Sequence, residues 1–253
     1  METHAHNLHK APGNKFWHYF FEFFMLFIAV FCGFLAENFR ERQVEKERGR
    51  QYIESFYEDL KTDTTRISAF KKFGDDKIEG LSNIAGCYDT VSKNVKATSC
   101  MLDLVKNTTF NRPFLPIDRT LKQLANAGGF RLLQKEDADS IVRYEKRINQ
   151  LEDFQRTIYQ EAQNNVRSTY NLLIDFKANN QMLKIQPGQG LLNFNKEVTM
   201  PILFSDDKML LNKYFNELYL YYRVTISQQK ILMDLKKSQT LLIEFFKNKY
   251  HFE

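Results

Sequence analysis

The chain has 253 residues, with 36 basic against 31 acidic side chains and a net charge of +5. So small an excess, with the two signs alternating along most of the chain, excludes a concentrated nucleic-acid footprint. Five prolines and ten glycines argue against a many-turned sheet protein and for long helices, an all-α fold.

Residues 1–15 read as a flexible tail. His4, His6 and His9 form an H-x-H-x-x-H pattern there, taken as part of the tail and not as a metal site. From Phe16 to Ala36 runs FWHYFFEFFMLFIAVFCGFLA, an exception in a chain whose mean hydropathy is −0.47. A helix of that length spans about 31 Å, close to the hydrocarbon core of a bilayer. Trp17 and Tyr19 stand at its start, where interfacial aromatics belong. A signal-peptide cut after Ala36 would need a small residue where Phe34 stands, and a lipoprotein site at Cys32 is preceded by Phe31. The segment is therefore expected to stay as a transmembrane anchor, with the lipid bilayer as its first partner.

One carboxylate interrupts this run. Placing a charged side chain at the centre of a bilayer costs at least about 2.5–3.5 kcal/mol on insertion scales. Glu22 lies near the edge, where it either reaches the headgroups or faces another helix. Helical spacing puts His18, Ala29, Gly33 and Ala36 on its face, and small residues at such spacing let membrane helices approach closely. These five residues are the candidate contact for a homo-oligomer or a membrane-protein partner.

Orientation is read from two opposed signals. Lysine and arginine counts either side of the span favour a cytoplasmic domain. The basic residues after the span are, however, interleaved with glutamates on a continuing helix. The expectation is a single-pass protein with its large domain outside the cytoplasm, the cytoplasmic placement being the alternative.

Residues 37–73 read as a stalk continuing the same helix. Its first part, ENFRERQVEKERGRQ, is nearly all polar and is expected to be solvated. Ile53, Phe56, Leu60, Ile67 and Phe70 then recur at helical spacing, and Gly74 is the expected stop. Glu54, Glu58, Asp59 and Asp63 form an acidic cluster with Arg50, Lys61 and Arg66 nearby, read as a solvated face. Residues 74–253 are expected to form an antiparallel bundle of long helices packed on the stalk. Residues 75–106 give one or two short helices, and Asn107–Pro116 a loop. Asp118 is the expected cap of a helix ended by Gly128-Gly129.

From Lys135 a long amphipathic helix is marked by Ile141, Tyr144, Ile148, Leu151, Phe154 and Ile158, ending near Phe176. Ile185–Pro201 is irregular, either a loop or a short hairpin. Ser205 is the expected cap of a last helix reaching Asn248, in which Tyr219–Tyr222 is read as core packing. Arg131, Arg143 and Arg147 are candidate anion contacts, and His251 stands alone. Cys87 and Cys100 can form a disulfide in an oxidising compartment or remain two small buried thiols.

Three stretches, FFEFFMLFIAVFCGFLAENFRE, YIESFYEDLKTD at Tyr52–Asp63 and TLKQLANAGGFRLLQKEDADSIVRYEKRI at Thr120–Ile148, together resemble an uncharacterised bacterial family of single-pass membrane proteins, a domain of unknown function. The resemblance covers roughly the first 150 residues. It implies an N-terminal membrane helix, often with a glutamate near its start, followed by a helical domain; for this chain it makes the membrane a bacterial inner membrane and the outer side the periplasm, and it brings no activity and no catalytic residue. No glycine-rich phosphate loop, zinc motif or nucleophile elbow is present. The sequence thus points to a structural or interaction protein, not an enzyme, with no catalytic residue, cofactor or metal. The alternative is a proton- or ion-linked membrane subunit in which Glu22 titrates.

Overall fold

A computed structural model describes residues 15–252 apart from 97, 110 and 186–191. The histidine tail lies outside the described residues. The fold is all-helical, with a long apolar helix at its N-terminus, save for one short antiparallel strand pair among the described residues. Helix α1 spans Lys15–Leu81, α2 Ile84–Lys93, α3 Met101–Thr109 and α4 Arg119–Asn126. A 3-10 turn over Gly129–Leu132 leads to α5, Lys135–Phe154, which runs through a π-helical turn, Gln155–Tyr159, into α6, Gln160–Leu173. Helix α7 is Phe176–Met182, β1 Leu183–Ile185, β2 Leu192–Phe194 and α8 Lys208–Tyr250.

Three long elements carry the domain, and their side-chain contacts fix their directions. Gln239 Nε2 donates to the Leu60 carbonyl at 2.6 Å, Lys236 Nζ to Ser68 Oγ at 3.3 Å, and Lys77 Nζ to the Tyr221 hydroxyl at 2.9 Å. Numbers rise along α1 as they fall along α8, so the two are antiparallel. Asp137 with Tyr250 and Gln155 with Gln228 show the same for α5–α6 against α8. Helices α1 and α5–α6 therefore point the same way, with α8 returning between them.

Each long helix buries a stripe at alternating spacings of three and four, the spacing that keeps one face inward. On α1 it runs Ile53, Phe56, Leu60, Asp63, Ile67, Phe70, Gly74, Lys77, Leu81. On α8 it runs from Leu211 through Tyr221, Gln228 and Gln239 to Phe246. The apolar members form two clusters. One surrounds Ile53, Phe56, Leu124, Ile148 and Phe246 at the end near the apolar segment. The other surrounds Leu81, Met101, Val166, Tyr214 and Leu218 at the far end.

Several boundaries differ from the sequence reading. Helix α1 does not stop at Gly74 but continues to Leu81. This glycine serves close approach: a Cβ there would lie 1.7 Å from Gln229 Nε2. Residues 107–109 belong to α3 and not to a loop. Asp118 does not cap α4 with its side chain; it pairs with Lys122 at 2.5 Å instead. Gly128 does terminate α4, in the left-handed conformation (φ 63°) that glycine adopts without strain.

The long helix from Lys135 gives way at Leu173, and Phe176 opens a new helix capped by Asp175, whose Oδ1 accepts from Lys177 N and Ala178 N. Ile158 is exposed and Tyr159 takes its place in the core. The π turn holds one extra residue, which advances the buried stripe from position 158 to 159. After α7, β1 and β2 pair antiparallel with Leu183 opposite Phe194. Asp207, not Ser205, caps α8, accepting from Met209 N at 2.8 Å and Leu210 N at 3.3 Å. Ser205 supports the preceding turn by accepting from Asp207 N.

Cys87 and Cys100 are joined by a disulfide that ties α2 to the start of α3. Closing a loop with a sequence separation of 13 contributes about 3 kcal/mol by restricting the unfolded chain. Reduction, or the Cys87→Ser/Cys100→Ser double variant, is expected to lower the unfolding free energy by about that amount, read as a lower urea midpoint. A midpoint unmoved by reduction would remove the bond from the account of stability.

Candidate functional site

The candidate residues of the apolar segment are carried on one uninterrupted helix. Its most apolar 18 residues have a mean hydropathy of 2.1 and none of them is buried. Among the described residues it is the one helix long and apolar enough to cross a membrane. His18, Glu22, Ala29, Gly33 and Ala36 are all exposed, and a Cβ on Gly33 would meet nothing within 4 Å. Phe20 stacks on Phe24, and Phe27 on Phe31, the i,i+4 neighbours of a helix surface. The segment therefore packs only on itself, and the domain does not cover it. Beyond it, Glu37 and Arg40 pair at 2.5 Å, both exposed, and the early stalk is largely solvated as its composition implies, save at Gly49, which is buried against Leu132.

A second constellation lies inside the domain, where the three long elements meet beside the far apolar cluster, to which both of its tyrosines belong. Lys77 from α1, Tyr159 from the π turn and Tyr221 from α8 converge. Lys77 Nζ donates to the Tyr221 hydroxyl at 2.9 Å and to Tyr159 at 3.2 Å, and the two hydroxyls are 2.7 Å apart. Lys77 is 3% exposed. Burial disfavours the ammonium form, and the positive charge of Arg167 adds to this, so Lys77 is brought down to about 7. Burial likewise raises both tyrosines above their ordinary value.

Next to this trio, Gln155 Oε1 accepts from Phe114 N at 2.8 Å and from Gln228 Nε2 at 3.1 Å, while its own Nε2 donates to the Phe114 carbonyl at 3.0 Å. Asn111 donates to Gln163 at 3.0 Å. A polar layer thus crosses the bundle, held by side chains from all three helices and by the Asn111–Phe114 segment. Such convergence between facing helices is how bundles build ligand sites.

Two clefts open beside the layer. The larger, about 1160 Å³, runs between the end of α1, α3 and the β2 strand, and Lys77 lines it with Phe73, Asn107, Asn111, Arg112 and Lys196. The smaller, about 340 Å³, is lined by Tyr159, Gln155, Gln228 and Asn111. Asn111 borders both, so the Asn111–Pro113 stretch separates them.

The acidic cluster of α1 is not one solvated face. Glu54 and Glu58 are exposed, but Asp59 and Asp63 are 5% and 2% exposed. Asp59 accepts from Thr120 Oγ1 at 2.5 Å, Thr120 N at 3.3 Å and Arg119 at 2.9 Å. Asp63 accepts from Ile117 N at 2.9 Å and Arg66 at 3.2 Å. Burial raises Asp63 above the usual carboxylate range, against the opposing pull of the Ile117 N–H and Arg66. The two aspartates secure the entry to α4, the task assigned to Asp118 by the sequence. Arg131, Arg143 and Arg147 are exposed, and Arg143 donates to Ser140. Tyr221 is fully buried while Tyr219 is 55% exposed, so the tyrosine run divides between core and surface. His251 ends α8 in the left-handed conformation.

The sequence reading singles out neither Lys77 nor Tyr159 and takes Tyr221 only as core packing, although Lys77 carries a signal. It falls on the same stripe as Ile67, Phe70 and Leu81, where a lysine is out of place unless buried for a reason. Tyr159 gave no comparable signal, because the π turn moved it off the expected register. No protein-family model matches this chain, and no curated protein and no solved structure matches it either.

Proposed function

We propose that the chain is a single-pass membrane protein whose N-terminal helix anchors an antiparallel helical bundle, and that it acts by assembling with itself or with another membrane protein. One observation carries this reading: an apolar segment of membrane-spanning length, buried by nothing in its own domain, continues without a break into the helix that forms the domain's core. An apolar surface of this extent needs a cover, and a bilayer fits its length. The unbroken helix fixes the orientation of the bundle to the anchor. The Cys87–Cys100 disulfide supports a domain on the oxidising, periplasmic side of a bacterial inner membrane. The His18–Glu22–Ala29–Gly33–Ala36 face is the surface through which the anchors would meet.

Cross-linking in native membranes tests the reading. In a Cys32→Ser background, Ala29→Cys is expected to give a disulfide-linked dimer on oxidation, and Phe27→Cys, on the opposite face, is not. Absence of the protein from the membrane fraction, or equal cross-linking from both positions, would sink the proposed interface. Thiol labelling of Cys87 and Cys100 in intact cells, expected only after reduction, reports the side of the membrane. The Glu22→Gln variant then shows whether the carboxylate contributes to assembly.

A further inference from the structure

Lys77 is built into the domain as a reactive amine would be. It forms part of the wall of the larger cleft, beside Phe73, Asn111 and Arg112. Two phenolic hydroxyls stand within hydrogen-bond distance of its Nζ and of each other. Each member of the trio comes from a different long element, so the amine on α1 is held by hydroxyls from the other two. Burial and Arg167 hold Lys77 near 7, which leaves a large share of the amine unprotonated at neutral pH. A desolvated lysine of this kind is the nucleophile that attacks carbonyl carbon, and neighbouring hydroxyls supply the proton transfers that such an addition requires.

We propose that Lys77 captures a small aldehyde or ketone entering through the larger cleft as a Schiff base, with Tyr159 and Tyr221 moving the protons. The amine nitrogen attacks the carbonyl carbon and a C–N bond forms. The carbonyl π pair moves to oxygen, which takes up a proton as the nitrogen releases one, giving the carbinolamine. A tyrosine hydroxyl then protonates the departing oxygen, the C–O bond breaks and water leaves. The nitrogen lone pair closes the C=N bond as the second N–H proton passes to the same hydroxyl pair, so that no free phenolate is left in the buried site. One carbonyl compound and one amine give one imine and one water, with no oxidant or reductant consumed. This activity is independent of the proposed membrane assembly.

The test uses the full chain in detergent micelles with benzaldehyde as the probe and cyanoborohydride to trap the imine at pH 7.5, followed by peptide mapping. Lys77 is expected to be benzylated several-fold faster than Lys106, an exposed lysine on the same cleft. Tyr221→Phe is expected to slow that labelling about tenfold with unchanged helical circular dichroism, while labelling of Lys106 stays the same. Labelling of Lys77 no faster than of Lys106 overturns the proposal. An unchanged rate in folded Tyr221→Phe overturns the proton-transfer role of the pair. Should Tyr221→Phe fail to fold, the comparison of Lys77 with Lys106 in the unaltered chain still decides whether capture occurs.

Discussion

Replacing Asp59 by alanine is expected to destabilise the domain by about 2–4 kcal/mol. The cost comes from what the carboxylate leaves behind. Thr120 is wholly buried, and its N–H and hydroxyl both donate to Asp59. Without the acceptor, two buried donors lose their partner, each at the desolvation cost of an unsatisfied polar group. The Arg119 side chain is 66% exposed, so its release to water adds little. Asp59→Asn retains one acceptor oxygen and is expected to lose less. Glu58→Ala removes only an exposed pair with Lys61 and is expected to shift stability by no more than about 0.5 kcal/mol. Urea unfolding of the three variants in micelles gives the order. Equal losses from Asp59→Ala and Glu58→Ala would mean that Asp59 does not hold the entry to α4.

The contrast between these neighbours shows where a sequence stops being informative. Asp59 and Glu58 differ by one position and one methylene, yet Glu58 faces solvent and Asp59 reaches across to α4. The periodicity of Ile53, Phe56 and Leu60 locates the inward face of α1. It does not say which polar residue at its edge will meet the donors of a helix sixty positions later. Caps supplied from another element share this property: the Asp118 reading relied on local chemistry, and a tertiary contact overrode it. The Ser205 reading failed for a smaller reason, since two adjacent aspartates compete for the same role and Asp207 stands nearest the first turn.

The π turn is a different kind of loss. Alternating steps of three and four continued from Ile141 place Ile158 inward, and Ile158 is the more apolar residue. The extra residue of the turn puts Tyr159 inward instead, where its hydroxyl meets Tyr221 and Lys77. The gain is a polar contact at the centre of the bundle, at the expense of leaving an isoleucine 50% exposed. No local preference forecasts that exchange. By contrast, the apolar N-terminal segment, the continuity of α1 with it and the helical class were all legible, because each rests on composition and period over tens of residues.

Domain stability is expected to rise as pH increases from about 7 toward 10, with Lys77 as the cause. The unfolded lysine binds its proton up to the ordinary value of 10.5, whereas the folded one releases it at about 7. Below pH 7 both states are protonated, and the folded state bears the full cost of a buried ammonium. Between the two values the unfolded state holds more protons, so stability grows with pH at up to about 1.4 kcal/mol per unit. The complete change is a few kcal/mol, on the order of 3–5, before solvent and neighbouring dipoles reduce it. Above pH 10 the tyrosines act in the opposite direction. Tyr159 and Tyr221 keep their protons in the fold past the point where the unfolded chain loses them, so stability falls again. The expected profile is a maximum between roughly pH 9 and 10, read from urea midpoints at fixed ionic strength. Lys77→Met removes the titrating amine and should flatten the rise from pH 7 to 9 while leaving the alkaline fall in place. A rise that persists unchanged in Lys77→Met would assign it to another group and leave the amine protonated in the fold. A buried amine that weakens its own domain at neutral pH is a cost that packing does not require, since methionine fills the same space. That cost gives a physical reason to look for the lysine's role in chemistry at the cleft.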